Sequence, residues 1–360
     1  MTSPVTLETR MARLSLDPSI GAIETLVLNH SGRALCPLHR APWADDPAVR
    51  ADPAIAPVER GLSGDFFCAP FGASDIVDGP AHGPSANSPW TLETATPDTL
   101  SLRLAARFMG AAFRKTLSLS AEAPLLYQVH EIVGGDGKLS AAHHPMVRIE
   151  TTGRFATSPK SLAIAADPPL EPGRNRLTAG GRADDLAALP GEGGDAVDLT
   201  RLPIGTAHED FVALIEAPGR SLAWSAVLRD SEDDIVFFLK DPRILPLTML
   251  WHSNAGRDHA PWNGRHRGVL GIEDGRAAGV AGHRAAVSDN AFTRLGVPTV
   301  FDLAPGRVIR VPHVIGAVAR PAGWSTVTDI ALLGDRLAIT GPDGNRITMP
   351  FRPGFFTQES

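Results

Sequence analysis

Cysteine is nearly absent: Cys36 and Cys68 are the only two. They form neither a zinc-ligand pattern nor a disulfide framework, so a reduced, cytoplasmic chain is the simplest expectation. No apolar run reaches transmembrane length, and the N-terminus lacks a charged segment followed by an apolar one, so neither a membrane span nor a secretory leader is expected. Excess positive charge is also missing. The formal net charge is -6, the pI is about 6.1, and no basic stripe interleaves with aromatics. A nucleic-acid partner is therefore not expected.

Several catalytic signatures are missing too. No Gly-rich loop ends in Lys and Ser/Thr, and "GGDG" and "GEGGDA" lack the strand-to-helix setting of a dinucleotide site. No serine sits in a nucleophile elbow. "HEIVG" at His130 lacks the second histidine of a zinc-protease helix, and "DSEDD" lacks calcium-loop spacing. The single tyrosine, Tyr127, lies mid-strand, which counts against a lyase that needs a phenolic base. The expected cofactor list is empty.

Glycine and proline, by contrast, are plentiful: 35 and 31 residues, scattered without a repeat. That pattern implies many turns between short strands. Alternating apolar runs such as "TLSLRLAARF", "PLLYQVHEIV", "FVALIEAPG" and "DIVFFLKD" support it, and "DRLAITGPDGNRITMPF" carries a hairpin signal. Helix-period stretches are few; "ADDLAAL" and "DNAFTRLG" are expected as short helices. The fold class expected is all-β, a large antiparallel β-sandwich occupying 1–360 as one domain, with its core over about 20–350.

Three segments hold the polar residues of interest. The first, "GDFFCAPFGASDIVDGPAHGPSANSPW", has a Pro-Phe-Gly turn, then His82-Gly83, then Pro89-Trp90. The second, "GKLSAAHHPMVRIE", places His143 and His144 side by side before Pro145. Neighbours on a strand point to opposite faces, so the two rings occupy different environments, and only the proline register separates their roles. The third, "LTMLWHSNAGRDHAPWNGRHRGVLGIEDG", closes an apolar run with Glu273 before a turn.

In this order, the segments resemble the aldose 1-epimerase (galactose mutarotase-like) superfamily, nearest to its hexose-6-phosphate epimerase-like branch. The matching positions are His82, Gly83, Asn87, Pro89 and Trp90, then His144-Pro145, then Gly271-Ile272-Glu273. The resemblance implies a mutarotase supersandwich that interconverts the α and β anomers of a small carbohydrate by acid–base ring opening. It implies Glu273 as base, His144 as acid protonated near its ordinary pKa, and His82 as a ligand to a ring hydroxyl or the ring oxygen. Trp251 and Trp90 are candidate sugar platforms, and Asn87, His252 and Arg40 candidate substrate contacts.

Two departures bear on substrate. Ala86 stands where the family has an arginine after His-Gly, and a second family arginine has no counterpart unless Arg60 serves. Both argue against a sugar phosphate. Arg257, Arg265 and Arg267 are expected in a solvated loop; turned toward a cleft, they would favour an acidic sugar. The alternative to catalysis is a carbohydrate-binding protein on the same fold. Which sugar binds and which oligomer forms are not legible in the sequence.

Overall fold

A computed structural model describes residues 3–357. Two large antiparallel sheets stack face to face. One has nine strands, in the order Arg201–Leu202, Gly153–Thr157, Ala223–Arg229, Asp234–Lys240, Val308–Ala319, Leu125–Val133, Ala112–Leu119, Thr99–Leu104 and Trp90–Ala95. The other runs Arg182–Ala183, Lys160–Ala165, His208–Glu216, Leu247–Asn254, Val269–Arg276, Ala141–His143 and Phe67–Cys68, with Met146–Arg148 also paired to Val269–Arg276. The expected antiparallel β-sandwich is the observed architecture.

Three apolar layers explain why the strands are apolar on both faces. Leu102, Phe113, Val236 and Ile315 of the nine-stranded sheet meet Val212, Leu214, Leu250 and Ile272 of the eight-stranded sheet. The outer face of the nine-stranded sheet, with Tyr127, Phe237 and Val314, is covered by a C-terminal three-stranded sheet and by Phe351 and Phe355. The outer face of the eight-stranded sheet, with Ala213, Met249 and Trp251, is covered by loops and short helices bearing Trp43, Phe66 and Phe71. A strand buried on both faces loses the polar/apolar alternation of a half-exposed one. All nine residues of His208–Glu216 are buried.

Neither expected helix forms as such. "ADDLAAL" folds as a turn between Arg182–Ala183 and Leu189–Pro190, and "DNAFTRLG" makes one 3-10 turn, Thr293–Leu295. In the second, Asn290 accepts hydrogen bonds from the backbone N–H groups of Phe292 and Thr293, and Gly296, with φ 77°, ends the turn. Among the described residues, no helix is long and apolar enough to cross a membrane.

Candidate active site

Strand register brings the distant segments together. Val269–Arg276 pairs Gly275 with Ala142 and Gly271 with Met146, which places His144 opposite Glu273. The ladder is interrupted between those pairs at His144-Pro145, where proline has no N–H to give. The Pro145 carbonyl still accepts from Ile272 N at 2.9 Å. The freed His144 N–H turns to the Phe66 carbonyl and Asp65 Oδ1, each at 3.0 Å. His144 Nε2 thereby lies 3.2 Å from Glu273 Oε1.

Glycine makes room for this contact. A Cβ on Gly271 would stand 2.8 Å from Glu273 Oε1 and 3.1 Å from Trp251 Cβ. Two residues apart on a strand, Gly271 and Glu273 share a face, so the glycine leaves the space into which the carboxylate and indole project. His82 reaches the same place by another route. It adopts the left-handed conformation, φ 67°, before the short helix Gly83–Asn87. Gly83, at φ 64°, is pressed so tightly on the Ala69 carbonyl that a Cβ would overlap it at 2.2 Å.

Glu273, His144, His82 and Trp251 line one cavity of about 300 Å³ on the outer face of the eight-stranded sheet, together with Phe66 and Arg257. That volume lies at the small end of the range for small-molecule sites. The imidazoles of His82 and His144 stand perpendicular, centroids 5.3 Å apart, and Phe66 stacks on His144 at 4.4 Å. Neither oxygen of the buried Glu273 carboxyl has an aligned hydrogen-bond partner, and the Nδ1 atoms of His82 and His144 have none.

Burial governs the charge states. It pushes the Glu273 carboxyl well above the usual carboxylate range and the His144 imidazole well below its usual value. His82 is lowered to about 4 by burial, with Arg257 adding to the effect. Burial thus favours the uncharged form of each group. This corrects the expectation of a His144 imidazolium near its ordinary pKa.

Four other expected contacts do not line the cavity. Asn87 ties its own helix down, donating to Ala81 O and Gly83 O and accepting from Val58 N. Trp90 is core: its Nε1 donates to Ser85 O and its indole lies under Lys115 Nζ. Arg40 pairs with Glu24 and Asp45 at the surface. His252 follows Trp251 on the strand and so points to the opposite face, toward His208 and Asp210.

Arg257 corrects the reading in the other direction. It is not in a solvated loop but over the rings of Trp262 at 4.5 Å and Trp251 at 5.6 Å. Glu171 pairs with it at 2.9 Å, and Glu209 lies 3.8 Å away. Burial raises Glu209 to about 7 even though Trp251 Nε1 and Ser253 Oγ donate to it. Arg265 and Arg267 remain in the loop, donating to the Pro261 and Gly264 carbonyls. Ala86 is fully buried in the core, and Arg60 donates to the Arg50 and Asp52 carbonyls, so neither supplies a charge to the cavity.

His143 answers to a different environment. It points between the two sheets, stacks on His313 at 4.4 Å and touches His130 edge-on. Asp65, His143 and His313 place nitrogen and oxygen atoms within 4.8 Å of one another. The two rings are nearly parallel, 17° apart, so their in-plane lone pairs do not converge as metal ligation requires. Asp65 is already engaged by Gln128 and the His144 N–H, and His313 by Asp274.

No protein-family model matches the sequence, and no curated protein matches it. Solved structures do. A galactose mutarotase related enzyme from Lactobacillus acidophilus superposes with a TM-score of 0.55 over 87% of this chain and 97% of its own, at 13% identity. A candidate aldose 1-epimerase from Escherichia coli K12 gives 0.58 over 88% and 98%, at 16% identity. A galactose mutarotase-like protein from Lactobacillus casei gives 0.50 over 88% and 100%, at 10% identity. The chain therefore has the galactose mutarotase-like β-sandwich fold.

Proposed function

We propose that this protein is an aldose 1-epimerase-like isomerase acting on a neutral, unphosphorylated aldose. The observation that carries the reading is the Glu273–His144 pair: an unsatisfied buried carboxyl 3.2 Å from an imidazole, in a sugar-sized cavity. Buried polar groups normally find partners, so an unpartnered carboxyl facing a cavity is a position kept for a ligand.

Anomer exchange requires one base and one acid. The base removes the proton from the C1 hydroxyl while the acid protonates the ring oxygen, and the C1–O bond to the ring opens to the aldehyde. After rotation about C1–C2, closure on the other face returns both protons. A pair holding one proton fills both roles whichever group carries it, and ring closure reverses the roles taken in opening. His82 approaches from the perpendicular side as a hydroxyl partner. Trp251 supplies an apolar wall and Arg257 a donor beside it.

The charges favour a neutral sugar. Glu171 and Glu209 flank Arg257 before any ligand arrives, and Glu59, which accepts from Trp262 Nε1, lines the same cavity. A phosphate placed there would meet these acidic groups, and Arg257, the cation lining the cavity, is already paired with Glu171.

The test is anomer exchange of glucose and galactose followed by two-dimensional exchange NMR. Wild-type protein is expected to accelerate exchange, and His144→Ala to reduce the rate by about 10²–10⁴. Saturable sugar binding with no acceleration would instead identify a carbohydrate-binding protein on this fold.

A further inference from the structure

The outer face of the eight-stranded sheet carries a second cavity beside the first, of about 380 Å³. Phe211 and Val280 line both. Strand register relates the two cavities. Ile164 pairs with Ala213, Ala213 with Met249, and Met249 with Glu273, so these four residues form one row across the sheet on one face. Glu273 ends the row in the first cavity, and Ala213 and Ile164 end it in the second. Adjacent strands lie about 4.8 Å apart, which puts Ala213 roughly 10 Å from Glu273.

The neighbouring row is aromatic at the junction. Phe211 pairs with Trp251, and Trp251 with Gly271. One ring therefore floors the first cavity and the next floors the boundary, with Phe292 further on in the second. Aromatic walls at one-strand spacing suit the apolar portions of consecutive sugar rings. The rim of the second cavity has polar groups for hydroxyls in Asp167 and Arg182.

We infer that the site takes a reducing disaccharide, its reducing unit at Glu273 and His144 and its second pyranose in the cavity over Ala213. The inference rests on the epimerase reading for the orientation of the ligand, and on the two adjoining cavities for its length.

Calorimetry on the wild-type protein tests it, with glucose and galactose against the reducing disaccharides maltose, cellobiose and lactose. At least one disaccharide should bind roughly tenfold or more tighter than its free reducing monosaccharide. Two variants block the second cavity without touching the first: Ala213→Phe on its floor and Ala281→Trp on its exposed rim. Each should abolish the disaccharide advantage and leave monosaccharide affinity unchanged. Because Ala281 is exposed, its variant reports even if the buried Ala213 substitution impairs folding. Disaccharides binding no tighter than monosaccharides, or an advantage that survives Ala281→Trp in folded protein, would overturn the second unit. Exchange NMR on the same samples separates the failures, since monosaccharide exchange without a disaccharide preference leaves the epimerase reading standing.

Discussion

Glu273 and Asp274 are consecutive carboxylates on one strand, both buried, and they live in opposite worlds. Glu273 faces the cavity, and neither of its oxygens has an aligned partner. Asp274 faces the space between the sheets. It pairs with Lys240 Nζ at 2.8 Å, accepts from Thr248 Oγ1 at 2.8 Å and meets His313 Nε2 at 3.0 Å. Burial acts on both, but at Asp274 Lys240 and His313 outweigh it and hold the carboxyl below the usual carboxylate range. At Glu273 nothing opposes burial, and the carboxyl is raised. A buried charge with partners fastens the fold. A buried acid without them costs stability and is available to a ligand.

The same division separates His143 from His144. Their backbone is continuous, yet His143 lies among His130, His313 and Phe67, while His144 opens onto the cavity. Asp65 joins the two environments: it sits on the inter-sheet side with Gln128 and accepts the His144 N–H.

The largest expected effect comes from removing the cavity acid. Glu273→Gln should reduce anomer exchange by about 10²–10⁴ while leaving the fold intact. Asp274→Ala should do the reverse. It leaves Lys240 with Glu216 as its remaining carboxylate and His313 Nε2 without its acceptor, so the loss should approach but not exceed the about 3–5 kcal/mol of a fully broken buried pair. Urea unfolding followed by tryptophan fluorescence measures that loss. If Glu273→Gln were the more destabilising of the two, the comparison would fail.

Much of this division was legible in the sequence. Period-two alternation and the proline after His144 were enough to place His143 and His144 on opposite faces. The order of the His-Gly, His-Pro and Gly-x-Glu segments was enough to group His82, His144 and Glu273. Alternation also forbids Trp251 and His252 from facing one cavity together, and only Trp251 does. Asn87 and Trp90 came with the resemblance as matching motif positions, and Arg40 from outside those segments, but a motif residue can serve its own turn or the core. Arg257 was hidden for the converse reason. Its loop looks solvated in sequence, and only the fold lays that loop across Trp251 and Trp262.

A pH titration of stability sharpens the contrast at intermediate effect size. The folded pKa of Glu273 is raised, so its contribution to stability is full below the ordinary carboxyl pKa of about 4.3 and is lost as pH rises. Glu273→Gln should therefore be more stable than wild type at pH 7 and lose that advantage by pH 4. Asp274 is depressed, so its contribution is present above about 3.9 and is lost in stronger acid. Asp274→Asn should be less stable than wild type at pH 7, with the gap narrowing only below pH 4. Beneath both runs a shared decline: His39 and His82 are lowered to about 4 by burial, so stability they confer above 6.5 is lost as pH falls toward 4. Melting temperatures of the three proteins from pH 8 to pH 2 would show the Glu273→Gln curve meeting wild type by pH 4 and the Asp274→Asn curve approaching it only below that. Parallel curves would mean that the two carboxylates do not differ in charge state.

The smallest effect tests how the cavity carboxyl is aimed. Gly271 has ordinary backbone angles, so alanine is forbidden there by neighbours, not by φ. The added methyl would meet Glu273 Oε1 at 2.8 Å and Trp251 Cβ at 3.1 Å. A carboxylate is the end of a flexible side chain and can yield; the Trp251 Cβ, on a paired strand, cannot move far. Gly271→Ala should therefore swing Glu273 away from His144 at small cost to stability. Misplacing a reacting group in this way lowers exchange by roughly tenfold or more. The pH–rate profile separates this from simple loss of folded protein: a displaced Glu273 no longer titrates beside His144, so the profile shifts, whereas a smaller folded fraction scales it uniformly. An unchanged rate would mean that Glu273 acts from a position the glycine does not guard, and its contact with His144 would then lose its claim to the chemistry.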